Sequence, residues 1–545
     1  MVITGTVRGT GFRPLVYRLA SEYPLIGWME DSDEGICVVL EGTEEAIART
    51  IAKFYSSNPP TLLIKDVELR RMASSLSRPF VHADGAFKVL NDRGEEANSP
   101  AITHSGANSL ANIRPDLGRR VNDSTTMAFR GRRRVSTPDR EYATSPLPIL
   151  SGSQGATTLG WGVDTGNSIC ILHEANAFLS QPAGDIAAPE AREEARRAAQ
   201  EFIRLLRIRP NVMACDLDPR CNSTIIAREE AKKADYPLFE VQHQHAHVAG
   251  AMAENGLTGE AIGVVFDDAG YGTDGGIWGG EFLLANAAEF YRLAHFQYVP
   301  MPGGGKAIRE PWRMAMSYLR VCGFSENEID EILFKTAAGA DTPTRHSGYG
   351  DWKIAYRACE AGINSPPTSS VGRLFDAIAA ILGIRRKIAY DGQAALELES
   401  YAERWNRKSH AVDNSLSKSI WRFSIDTTVF PWVIKPAPLI KTIAERVSYK
   451  SKCATIEDEA PRLAFQFHVA LSELILKVCD LLVKEGYPDS IVLSGTIFQN
   501  HLLFELTCSA LERKGYKVYS NWRSPINDGG VALGQAVIAR ALMKH

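Results

Sequence analysis

The sequence predicts an α/β protein in two parts. These are a small βαββαβ unit over residues 1–90 and a large two-lobed α/β region over 149–545, separated by a poorly patterned stretch, 91–148. Three observations predict this. Strand-like and helix-like stretches follow one another in the order β-α-β-β-α-β through residues 1–90. From 149 onward they alternate to the end of the chain. Within that second region the same device occurs twice, a strand, a turn rich in Asp and Gly, and a second strand: at ATTLGWGVDTGNSICIL and at AIGVVFDDAGYGTDGGIWGGEF.

In the small unit, VITGTVRGTGFRP reads as a strand and a glycine-bracketed loop, followed by the helix PLVYRLASEYP. The strands of LIGWMEDSDEGICVVLEG come next, then the helix EEAIARTIAKFYSS and the strand IKDVELRRM. The loop Val7–Gly11 leading to Arg13 has the makings of an oxyanion site, with successive backbone N–H groups and a guanidinium fork. A tight strand-to-helix turn with a surface arginine reads equally well. Residues 91–148 are rich in Gly, Asn, Ser and Arg and include RGRRRVSTPDR. Such a basic run is more often a solvated linker than a nucleic-acid patch.

The large region opens with the first of the two turns. The helix APEAREEARRAAQEFIRLLRI follows, with Pro189 in its first turn and apolar positions at Ala195, Ala198, Phe202 and Leu205. VMACDL is a short buried strand. VQHQHAH then begins a helix on which His243 and His247, four apart, share one face, so that two neutral imidazoles can grip one metal ion. His245 falls on the other side and is read as structural. The strand AIGVVF ends in Asp267 and Asp268, and the glycine-rich turn after it offers backbone N–H groups to an anion. Taken singly, an HxxxH spacing also occurs on helices without metal, and a Gly-rich turn is more often an ordinary hairpin. Together they point to a site for a phosphorylated or adenylated substrate. A repeated device of this kind suggests two lobes with a nucleotide between them, as in actin-like ATPases, an analogy of fold alone.

Composition narrows the classes. With 45% hydrophobic and 23% charged residues, the chain is that of an ordinary soluble globular protein. A net charge of -3 gives no global pull toward nucleic acid or a membrane surface. No apolar run approaches the ~20 residues of a membrane span, and no signal peptide is evident. Nine scattered cysteines without a CxxC pair speak against a disulfide framework or a cysteine-ligated zinc module. The expected compartment is the cytoplasm.

The motifs also carry a resemblance. GTVRGTGFRPLVYRLA and LIGWMEDSDEGICVVLEG resemble an acylphosphatase domain, of the kind that begins the HypF carbamoyltransferases of nickel–iron hydrogenase maturation. Those domains usually read VQGVGFR and later GWVRN. The resemblance assigns the phosphate-binding arginine to Arg13 and puts Asp31 where the catalytic asparagine stands. A carboxylate ~4 Å from a phosphate oxygen is repelled by roughly 4 kcal/mol per unit charge at an effective dielectric of about 20. Hydrolysis in this unit is therefore expected to be weak or absent. RRVNDSTTMAFRGRRRVSTPDREYATSPLPI is similar to the tail of the family's YrdC-like domain. The zinc modules and most of that domain, which makes the carbamoyl-adenylate, are expected to be missing.

VQHQHAH, FDDAGYGTDGGIWGGE, PGGGKAIREPWRMA, TSSVGRLFDA, YDGQAALELE, LSGTIFQN and NDGGVALGQA resemble, in order, the family's Kae1-like carbamoyltransferase domain, an actin-like ATPase fold. The resemblance implies a metal held by His243, His247, Asp267 and Asp528. Two nitrogens and two carboxylates suit Fe or Zn, and also Mn, better than a soft copper site. It places Gly270 and Gly272 near nucleotide phosphates on one side and Ser494, Gly495, Gly529 and Gly530 near them on the other, with Gly372 and Asp376 toward the sugar and base. The implied chemistry is carbamoyl transfer from carbamoyl-adenylate to the C-terminal cysteine of a HypE-like protein. ATP and carbamoyl phosphate are the sources, and a separate YrdC-like protein is needed for the adenylate. Departures stand at Gly166, where the family has a lysine, at Pro182, at Gly305, where it has an aspartate, and from Asp218 to Cys221. They suggest an alternative, a catalytically reduced paralogue that binds nucleotide or a maturation partner without turnover.

Overall fold

A computed structural model describes residues 155–180, 186, 189–335, 352–409, 422–450 and 459–543, together with strand segments at 2–6, 26–32, 35–41, 63–68, 88–89, 127–130, 133–136 and 147–149. The chain divides into two compact units, residues 1–123 and 124–545. The loop from Val7 and Arg13 lie outside the described residues, as does Pro182.

The first unit is a five-stranded sheet. Its strands are β1 (Val2–Thr6), β2 (Ile26–Ser32), β3 (Gly35–Glu41), β4 (Leu63–Glu68) and β5 (Lys88–Val89). Their order is β4-β1-β3-β2-β5. β3 pairs antiparallel with both β1 and β2, so the first two strands are split by the third. That is the arrangement a ferredoxin-like βαββαβ unit requires. Asp31 pairs with Ile36 near the hairpin end of β2.

The second unit carries a ribbon of β6 (Met127–Arg130) and β7 (Arg133–Ser136), then two larger sheets. The first sheet holds β8 (Leu147–Pro148), β9 (Thr158–Gly160), β10 (Cys170–His173), β11 (Asn176–Leu179), β12 (Val212–Asp216) and β13 (Leu238–Val241). The second holds β14 (Ala261–Tyr271), β15 (Ile277–Ala285), β16 (Phe290–Phe296), β17 (Val299–Pro300), β18 (Pro367–Thr368), β19 (Ser424–Asp426), β20 (Trp432–Lys435), β21 (Ser490–Ser494) and β22 (Lys517–Ser520).

One plan underlies both sheets. In the first, β9, β10 and β11 form an antiparallel meander, β12 lies parallel to β9, and β13 lies parallel to β12. In the second, β14, β15 and β16 form the meander, β21 is parallel to β14, and β22 is parallel to β21. The repeated Asp/Gly turn thus occupies the same place in each lobe, between the first two strands of the meander.

The helices that matter for the site are α1 (Pro189–Leu206), α2 (Asn222–Ala234), α3 (His243–Glu254), α4 (Val371–Ile381), α5 (Gln393–Ser409), α6 (Ala460–Lys484), α7 (His501–Arg513) and α8 (Val531–Leu542). α1 starts at Pro189, as the sequence predicts, but the face it buries differs. Ala195 and Ala199, one turn apart, are buried in a cluster with Ile226 and Ala227 of α2, while Ala198 is exposed.

The lobes exchange helices. α3 follows the last strand of the first sheet yet packs on β14, β15 and β21 of the second, whereas α8 follows the second sheet and packs on β9, β10 and β12 of the first. The two helices cross each other at Ala246, Gly250 and Gly534, where a Cβ on Gly534 would lie 1.8 Å from the Ala246 carbonyl oxygen. Every residue of α3 is buried, which agrees with a helix that faces protein all round. Among the described residues no helix is long and apolar enough to cross a membrane. The free cysteines there are buried, except Cys221, which is partly so. Burial pushes the thiols of Cys170, Cys215, Cys322 and Cys508 up to about 12.

Candidate metal centre

Four side chains from three places in the chain converge between the lobes. His243 and His247 stand one turn apart on α3, whose first turn is capped by the Gln242 side chain accepting from His245 N–H. Asp267 follows Phe266 in β14. The Phe266 ring is stacked on Phe498 and edged by Phe282 and Phe296, so this strand is held rigidly. Asp528 opens the short turn Asp528–Gly530 ahead of α8.

His243 Nε2 lies 3.1 Å from Asp267 Oδ2 and 3.6 Å from Asp528 Oδ1; His247 Nε2 lies 3.6 and 3.7 Å from the same two oxygens. A tetrahedral cation with bonds of ~2.0–2.2 Å has ligand–ligand edges of about 3.4 Å. The four spacings bracket that value, and all four ligand atoms lie within 4.8 Å of one another.

Each ligand is aimed by a partner on its other atom. Asp216 Oδ2 takes His243 Nδ1 at 2.8 Å, Ser494 Oγ faces His247 Nδ1 at 3.3 Å, and Thr496 N–H donates to Asp267 Oδ1 at 3.0 Å. The Thr165 hydroxyl donates to Asp528 Oδ2. His247 Nε2 and Asp528 Oδ1, both buried, are left without a hydrogen-bond partner. Orphaned polar atoms aimed at one point are costly unless something satisfies them. A divalent cation would satisfy both at once, so the residues present fit one.

The charges agree. Burial alone would lower the His243 imidazole, but the carboxylates of Asp216 and Asp267, hydrogen-bonded to it, and of Asp528, 3.6 Å away, outweigh it and raise it well above its usual value. His247 is raised in the same way by Asp267 and Asp528. For Asp267, burial pushes upward, yet His243 and His247 hold it well below the usual carboxylate range. Asp528 is also lowered, since the same two imidazoles outweigh burial and the neighbouring Asp267. Without a cation, protons on the imidazoles do the balancing.

The other predicted residues are spread around this centre. Ser494 turns its hydroxyl to His247 and Asn521 rather than to open space. Gly495 (φ +107) lies against β14, where a Cβ would meet the Phe266 carbonyl oxygen at 2.3 Å. Gly529 and Gly530 complete the Asp528 turn. Gly270 is packed on Gln244 and Gly272 on Trp278. Gly372 abuts Asp268, and Asp376 pairs with Arg373 at 2.8 Å. Of the departures, Gly166 (φ +71) faces Gly529, Gly305 precedes a short helical turn, and Asp218 clasps Arg220 with both oxygens ahead of α2. Glu399, in the YDGQAALELE motif, accepts from His501 and Leu502 N–H and so caps α7.

Asp216, Thr165, Thr496 and Asn521 escaped the sequence reading. Asp216 had a signal, for VMACD ends in a carboxylate as AIGVVFD does. The rest become neighbours only through the fold. A ring held by a carboxylate at Nδ1 presents Nε2 to a metal, and losing such a partner typically costs about 10–100-fold in affinity. Asp216→Asn is therefore expected to weaken zinc binding by that factor in calorimetric titration while leaving four ligands in place.

Comparison with known proteins follows the same lines. The acylphosphatase family model matches residues 1–80, the HypF Kae1-like domain matches 153–254, and the second subdomain of the carbamoyltransferase Kae1-like domain matches 263–535. Carbamoyltransferase HypF2 of Cupriavidus necator is 34% identical over 415 residues, 72% of this chain and 48% of that protein. A carbamoyltransferase HypF homolog of the same species is 30% identical over 395 residues, 72% of this chain and 93% of that one. A crystal structure of full-length HypF in a phosphate- and nucleotide-bound form is similar at a TM-score of 0.65 and 30% identity, covering 77% of this chain and 61% of that chain. The chain spans about half the length of the full HypF relatives it matches. With these models running through all four ligand positions, and with the homolog matched almost from end to end, the chain belongs to the HypF carbamoyltransferase family.

Proposed function

We propose that this chain transfers the carbamoyl group of carbamoyl-adenylate to the C-terminal cysteine of a HypE-like maturation protein, with a separate YrdC-like protein supplying the adenylate. The observation that carries the reading is the convergence of His243, His247, Asp267 and Asp528 with two buried atoms unsatisfied. Support for a nucleotide ligand comes from the nucleotide- and phosphate-bound state of the similar full-length HypF. A bound Fe or Zn ion would supply Lewis acidity to the carbamoyl carbonyl.

The chain's own part is to hold and to exclude. Asp216, Ser494, Thr496 and Thr165 keep the four ligands from turning. Asp268 stands beside the centre with 36% of its side chain exposed. Burial raises its carboxyl, and Asp267, Asp376 and Asp528 add to this against Arg373, while the exposed part moderates the rise. A carboxylate so placed can take the proton of an incoming thiol. The described cysteines, with their thiols raised by burial, leave the nucleophile to the partner.

The test is incubation with a HypE-like C-terminal peptide, a YrdC-like protein, ATP and carbamoyl phosphate. A mass gain of one carbamoyl group on the peptide is expected; none beyond the enzyme-free control would sink the proposal. Gly166 favours a second reading, a paralogue that binds without turnover. A lysine there would have to adopt φ +71, with its Cβ 3.3 Å from Gly529 N, beside the Asp528 turn. Metal and nucleotide binding without peptide modification is the result that reading expects.

A further inference from the structure

The two imidazoles of the centre are held by different means. Asp216 takes the His243 Nδ1 proton directly. His247 meets a hydroxyl instead, and from Ser494 a line of hydrogen bonds runs on. Ser494 Oγ donates to Asn521 Oδ1 at 2.9 Å, Asn521 Nδ2 to Ser524 Oγ at 2.9 Å, and Ser524 Oγ to Glu254 Oε2 at 2.5 Å. All five side chains are buried, each with 3% exposure or less. Glu254 is the last residue of α3, so the line returns to the helix on which it began.

Its direction follows from its end. Glu254 also accepts from the backbone N–H groups of Trp522, Arg523 and Ser524. Burial pushes its carboxyl up to about 7 against these four hydrogen bonds, so above neutral pH it is an acceptor only. Ser524 must then give its hydroxyl proton to Glu254 and accept from Asn521 Nδ2, which orients the amide. Asn521 Oδ1 is left to take the Ser494 proton, and Ser494 Oγ to accept from His247 Nδ1–H. Once the ring is neutral, Nε2 is then the bare nitrogen, and Nε2 is the atom that faces Asp267 and Asp528.

We propose that Glu254 is a positioning residue for the metal centre: through Ser524, Asn521 and Ser494 it holds His247 as the Nδ1–H tautomer, with Nε2 open to the cation. This rests on reading His247 as a ligand. Reversal of the line would turn an N–H toward the cation and oppose binding. A glutamine at 254 permits that reversal, since its amide can donate to Ser524.

The test uses the full metal-free chain with 15N-labelled histidine, followed through a pH titration to the neutral His247 ring, which Asp267 and Asp528 keep protonated to higher pH than a free imidazole, with His247 assigned by His247→Gln. Wild type is expected to show His247 as Nδ1–H. Ser524→Ala and Glu254→Gln should shift it toward Nε2–H and weaken zinc binding, by less than the roughly 10–100-fold that loss of a direct partner costs, since Ser494 stays beside the ring. Ser524→Thr, which keeps the hydroxyl, should preserve both, and the His243 signals should stay put throughout. His247 remaining Nδ1–H in Ser524→Ala, a change that spares the backbone bonds to Glu254, would overturn the proposal. Failure of the ligand reading shows separately, as wild type that binds no zinc while its histidine spectra still respond to Ser524→Ala.

Discussion

Joint replacement of His243 and His247 by alanine is expected to abolish stoichiometric divalent-metal binding, and with it the proposed carbamoyl transfer. Removing an outer partner costs about 10–100-fold in affinity, and removing two of four ligands costs far more. The measurement is metal content after dialysis, with titration of ATP or a non-hydrolysable analogue, on wild type and variant. One ion per wild-type chain and none in the variant is the expected pair of results. The double change leaves Asp267 and Asp528 facing each other without an opposite charge, which destabilises the lobes. Asp528→Ala, which removes a partly exposed ligand instead, should lose the metal from a chain whose circular dichroism is unchanged. A metal that survives both changes would end the metal-centre reading. Loading should also release protons and weaken as pH falls, because in the metal-free chain the carboxylates raise both imidazoles.

Gly534→Ala is expected to be the most destabilising small substitution in the second unit. The new Cβ would lie 1.8 Å from the Ala246 oxygen and 2.8 Å from its Cα, and both are backbone atoms that cannot swing aside. Overpacking costs typically 1–3 kcal/mol when side chains can adjust, so about 3 kcal/mol or more is expected here. Gly250→Ala is the internal comparison. Its Cβ would come no closer than 3.3 Å to Gly534 N, a contact that a small shift relieves. Urea unfolding should rank Gly534→Ala far below Gly250→Ala. Equal effects would mean that the helices do not cross as closely as described. Metal affinity should fall with the first change as well, since α3 carries both histidines and Asp528 lies just ahead of α8.

Much of the two-lobed plan was legible because its signals are local. Strand ends in Asp, turns rich in Gly and the spacing of His243 and His247 can be read in short windows. The partners that aim the ligands were not, since they are made by the closure of the fold. Thr165 and Asp528 are 363 positions apart, and His247 and Ser494 are 247 apart. Ser494 shows the limit most plainly. Its SG motif suggested a phosphate contact and gave no sign of the imidazole that its hydroxyl faces. Glu254 carries no local mark at all: a glutamate before Asn-Gly at a helix end looks solvated, and only the loop 521–524 folding over it makes it a buried acceptor.

The buried thiols of the second unit have a chemical side. An enzyme that handles an activated acyl donor endangers its own nucleophiles, and cysteine is the one most at risk near neutral pH. Six of the seven described cysteines are screened from solvent, and the seventh, Cys221, sits among Asp164, Asp216 and Asp218, which oppose its ionisation along with burial. If the chain handles the donor proposed above, the packing that builds the lobes also shields these described thiols from acylation. A carbamoyl group brought to the centre, as proposed above, would meet no readily ionised thiol among these residues and would stay available to a partner.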